Sequence, residues 1–168
     1  MHFFDALVLW LHILAAAIFI GPQVFLLFVA VPAARTLADV KARQQVTRAI
    51  TRGFGALGGG ALGVLILTGL WNYQVASDQG LMDLKRYFIA LQIKLTLVVV
   101  VVALTVLHGA VLGARLQRLQ ADDAPAAEIA RVRRWSVLAS ISTLVASILI
   151  LGCAAVLSSL WSKMGGIR

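Results

Sequence analysis

The sequence predicts an all-α integral membrane protein, an antiparallel up-down bundle of four helices, and three observations carry that prediction. The 168 residues are 61% hydrophobic and 13% charged, with a mean hydropathy of +0.93. A soluble domain of this size needs far more polar surface to cover its core. Four apolar runs, at roughly 4–33, 54–75, 87–114 and 135–160, each exceed the ~20 residues that a helix needs to cross a bilayer core. Basic residues collect in alternate connections, as they do in multi-pass proteins. The connections are short, so 1–168 reads as a single transmembrane domain with neighbouring helices antiparallel.

The first run differs from a cleaved signal, which wants a basic start and a short apolar centre. Asp5 is the only charge ahead of Arg35 and the apolar stretch is long, so a retained helix is expected. Pro22 removes one backbone donor and should bend this helix about one turn earlier, near Phe19. The connection TLADVKARQQVTRAITR holds no Gly or Pro, so helices one and two should extend past the membrane. The second run carries Gly55, Gly59 and Gly63 at four-residue spacing, a stripe suited to close approach of another helix. The third run contains Lys94 and His108. The fourth aligns Ser136, Ser140, Thr143 and Ser147, whose hydroxyls can bond back to their own helix carbonyls.

The formal net charge of +8 suggests nucleic acid until the charges are placed. Arg35, Lys41, Arg43, Arg48 and Arg52 fall in the first connection, and Arg115, Arg118, Arg131, Arg133 and Arg134 in or beside the third. In the second connection, Lys85 and Arg86 are offset by Asp78 and Asp83. This is the positive-inside pattern of an inner-membrane protein with both termini outside and connections one and three cytoplasmic. Topology accounts for the basic residues, and no nucleic-acid partner is expected. Cys153 is the single cysteine and cannot form an internal disulfide.

Function should lie with the polar residues inside the spans: His12, Gln23, Lys94 and His108. Imidazole and ammonium groups are costly in hydrocarbon, and they mark bundle interiors and sites. With helices one and three both running inward, His12 and Lys94 fall at similar outer depth, and Cys153 in returning helix four comes near it. His108 lies roughly 20 Å further in than Lys94 at 1.5 Å per residue. One site ligated by both histidines is therefore hard to build in one protomer. At about 100° per residue, Lys94, Thr105 and His108 share a face of helix three, and His12, Phe19 and Gln23 a face of helix one.

Neutral imidazole is a common axial ligand of haem iron in helical bundles. A lysine at the same depth could neutralise a propionate, ligate, or bind an anion. Copper in transit favours thiolate, thioether and imidazole. Against that preference, Met1, Met82 and Met164 all lie outside the spans, and no Met-x-x-Met or Cys-x-x-Cys pair lies within one. No intramembrane Asp or Glu, phosphate loop or His–Glu metal motif points to hydrolysis.

As a set, these residues are familiar. LWLHILAAAIFIGPQVFLLFVAVPAAR resembles the first helix of the CopD-like and HemJ-like membrane families, and IKLTLVVVVVALTVLHGAVLGARLQRL resembles a later helix of the same families. The HemJ-like resemblance implies haem b and porphyrinogen oxidation, with key residues at His12 and Lys94. The CopD-like resemblance implies copper transport or resistance. Helix four, SVLASISTLVASILILGCAAVL, lacks the Asn-Glu…Pro element of the HemJ-like pattern.

The leading expectation is a membrane haem b protein with a redox or electron-transfer role, an oxidoreductase if it is an enzyme. His12 would be an axial ligand, Lys94 a propionate or substrate partner, and His108 a ligand of a second, inner haem or a structural residue. One or two haems would need an open position or help from another protomer, hence a homo-oligomer or a membrane complex. A copper-transport or copper-resistance protein is the alternative, and a structural subunit of a membrane assembly the third reading.

Overall fold

The computed structural model of the chain describes residues 3–122 and 124–165, without the side chains of Arg35, Val40, Gln44 and residues 163–165. Met1, and the side chain of Met164, therefore lie outside the described residues. The described residues form an all-α protein with four helices long and apolar enough to cross a membrane: α1 (Phe3–Ala34), α2 (Lys41–Asp78), α3 (Lys85–Ala121) and α4 (Ala126–Ser162). Together they make a multi-pass membrane protein in a lipid bilayer environment. Two compact units, Met1–Gly80 and Leu81–Arg168, divide the chain. Each is an antiparallel helical hairpin.

In the first hairpin, Asp39 caps α2, its carboxylate Oδ1 accepting from the Lys41 N–H at 2.8 Å. With no Gly or Pro between residues 40 and 52, α2 starts well before its apolar run. At its other end Gly80 takes φ 71°, a left-handed conformation that ends the helix without a Cβ penalty. The hairpin packs largely through small residues, with Ala15, Ala30, Ala34 and Ala61 buried along its length together with Phe19. Phe25 stacks at a tilt on Phe54, centroids 6.0 Å apart, and Phe4 meets Trp71 edge-on at 5.0 Å. The indole N–H of Trp71 donates to Asp5 at 3.3 Å.

Helix α1 stays α-helical past Pro22 as far as Phe25, and it leaves α geometry at Leu26–Ala30, where the turn is π-helical. The Val31 N–H there reaches back five residues, to the Leu26 carbonyl. The register thus changes just before Pro32, which has no N–H to offer.

The second hairpin has a shorter connection than its polar sequence suggests. Residues 115–134 read as a linker, yet α3 continues to Ala121 and α4 begins at Ala126, next to Pro125. No Gly or Pro falls between residues 114 and 124 to stop α3 earlier. Arg115 and Glu128 face each other across this connection at 3.2 Å. The interface buries Leu91, Val101, Ala139, Leu144 and Ala146 together with Thr143 and Ser147. A second π-helical segment, Leu107–Gly113, interrupts α3 at its connection end.

Candidate functional site

Each hairpin holds one described histidine, and each histidine is tied to the opposite helix. The register of the first hairpin, set by the connection at 36–39, brings residue 12 of α1 against residue 68 of α2. His12 Nδ1 lies 2.8 Å from Thr68 Oγ1. The Thr68 hydroxyl is 2.6 Å from the Val64 carbonyl, which can only accept, so its proton goes there. The remaining lone pair of Oγ1 then accepts from His12, and this places the imidazole proton on Nδ1. In the neutral ring Nε2 carries the lone pair.

Space for this ring comes from the next residue of α2. A Cβ at Gly69 would stand 3.4 Å from His12 Cε1 and 3.9 Å from Nδ1. Gly69 is thus the close-approach glycine of the first hairpin. Gly55, Gly59 and Gly63 are different: a Cβ at any of them meets no atom of α1 within 4 Å.

In the second hairpin, His108 sits within the π-helical segment of α3 and turns its Nδ1 to α4. Three oxygens surround that nitrogen: the Ser136 carbonyl at 3.1 Å, Ser136 Oγ at 3.2 Å and Ser140 Oγ at 3.3 Å. The carbonyl has no proton to give, so Nδ1 must donate to it, and again Nε2 carries the lone pair. Ser140 donates to the same carbonyl at 3.1 Å. The serine stripe of α4 therefore does two things. Thr143 and Ser147 bond back to Ala139 and Thr143, both at 2.8 Å, while Ser136 and Ser140 hold a histidine.

Lys94 is half-buried on α3, and Cys153 on α4 is a half-buried free thiol. Gln23 spends its amide N–H on the Phe19 carbonyl at 3.0 Å, and its Oε1 is buried with no partner among the described residues. Sequence reasoning missed Thr68 and Gly69. A signal existed: Thr68 is the only hydroxyl of a Ser or Thr in the second apolar run, and counting across an antiparallel hairpin pairs it with residue 12.

Chemically, a histidine that donates its Nδ1–H to a fixed oxygen is oriented as metal-ligating histidines are. Among the described residues no group of three or more His, Cys, Asp or Glu could hold a metal ion. Among the described residues each hairpin therefore offers a single imidazole, not a closed coordination shell.

A family model described as copper resistance protein D matches residues 48–157. No curated protein and no solved structure matches the chain.

Proposed function

The chain belongs to the copper resistance protein D family, and from that premise we propose that it handles copper within the membrane, taking the ion at single histidine stations. His12 is the station of the first hairpin and His108 that of the second. The observation that carries this reading is the anchoring of each ring through Nδ1 to an oxygen of the opposite helix, the way metal-ligating histidines are held. Imidazole suits copper. One such ligand holds an ion weakly, and conduction needs sites weak enough to be left. A further copy of the chain, or another membrane subunit, completes the coordination. The alternation of basic connections supports an orientation with both termini outside and connections one and three cytoplasmic.

The test is the copper content of cells expressing the wild type, His12→Ala, His108→Ala and the double variant in copper-supplemented medium. Wild-type expression should change cell copper, and each single variant should remove more than half of that change. A double variant that acts like the wild type would sink the proposal.

The same anchoring favours a second reading, a haem b protein with a redox role, in which His12 is an axial ligand, Lys94 meets a propionate and His108 serves another haem. The bound haem would supply one-electron chemistry. Spectra of the oxidised and reduced protein separate the two readings: a Soret band lost in His12→Ala supports haem, and no Soret band from haem-supplied cells rejects it.

A further inference from the structure

At the connection end of the second hairpin, a groove of about 460 Å³ runs along α3, lined by Ala110, Val111, Ala114, Arg115 and Arg118. Its two parts differ in chemistry. Ala110 and Ala114 leave a shallow apolar floor, and the next turn presents two guanidinium groups. The level of this change can be read from α4, where Trp135 is 61% exposed. An exposed tryptophan beside Arg133 and Arg134 marks the headgroup boundary. Ser136, the next residue of α4, lies against His108, so the groove starts at that boundary and continues toward the phosphate layer, the arginines at its far end. Arg115 is shared with Glu128 at 3.2 Å, yet its side chain remains 62% exposed. Arg118 is exposed too. The local balance of these three groups is one net positive charge.

We propose that this groove binds an anionic phospholipid, its phosphate between Arg115 and Arg118 and the first part of an acyl chain over Ala110, Val111 and Ala114. Charge complementarity and the apolar floor select this occupant together. A free anion would leave the floor wet, and a neutral lipid would leave the arginines without a partner. Each unit of positive charge near an anionic headgroup is worth about fivefold in affinity, so the one net charge here should give roughly a fivefold preference over a zwitterionic lipid.

The experiment is native mass spectrometry of the full chain given equal phosphatidylglycerol and phosphatidylcholine. The wild type should retain phosphatidylglycerol preferentially. Arg115→Gln with Arg118→Gln should abolish the preference, and Arg133→Gln with Arg134→Gln, the same charge change outside the groove, should keep it. Ala114→Trp fills the floor without altering charge and should also lose the lipid. Equal retention of both lipids by the wild type, or equal loss in the two arginine pairs, would overturn the proposal. Displacement of the lipid by millimolar inorganic phosphate would overturn it as well, by reducing the groove to a plain anion site.

Discussion

The two hairpins solve one problem at opposite ends. Each places an imidazole in an apolar helix and must give it a hydrogen-bond partner. The first does so far from its connection, with the side chain of Thr68. The second does so close to its connection, with a main-chain carbonyl and two serine hydroxyls. A partner that is a single side chain can be removed by substitution, whereas a carbonyl cannot. The His12–Thr68 contact is therefore open to removal by substitution, and the His108 arrangement has redundancy built into it.

The glycine beside His12 gives the strongest way to break this comparison. Gly69→Leu drives a side chain into the imidazole and should destabilise the first hairpin by about 1–3 kcal/mol, the usual cost of overpacking. Gly59→Leu meets nothing on α1 and should stay within about 0.5 kcal/mol. Thermal unfolding in one detergent measures both, and equal losses would mean that His12 is not packed against Gly69.

Removing the partners comes next. Thr68→Val keeps the shape of the side chain but leaves the His12 Nδ1–H without its acceptor, at a cost of about 1–2 kcal/mol. Ser140→Ala leaves the Ser136 carbonyl in place and should cost about 0.5 kcal/mol or less, near the average for a polar contact in a membrane protein. If the two variants unfold at the same temperature, the asymmetry between the hairpins is wrong. Nitrogen-15 spectra at alkaline pH sharpen the same point: both imidazoles should report protonated Nδ1, and an Nε2-protonated His12 in the wild type would reverse the tautomer assigned through Thr68.

A salt-sensitive effect belongs to the connection. The Arg115–Glu128 pair is exposed on both sides, so Arg115→Gln should lower stability by less than about 1 kcal/mol, and that loss should vanish in high salt. A salt-independent loss would show that Arg115 holds the α3–α4 turn by packing.

What the sequence determined by itself is the class of molecule and its polar inventory. Long apolar runs leave a chain no economical alternative to membrane helices, because only helices satisfy their own backbone in lipid. His12, Lys94 and His108 stood out because ionisable groups are rare in such runs. The depth count set His12, Lys94 and Cys153 at a similar outer depth, since rise per residue is fixed in a helix. The tertiary structure alone decided what each histidine touches. Partners such as Thr68 and Ser136 lie on another helix, in a register set by where a connection actually turns, and α3 and α4 run further into that connection than their polar residues suggest. The π-helical segments were equally invisible, for they depend on hydrogen-bond register and not on composition. The glycines make the same point from the other side: four-residue spacing singled out Gly59, but within the first hairpin the close approach to α1 belongs to Gly69, because packing depends on which face meets the partner.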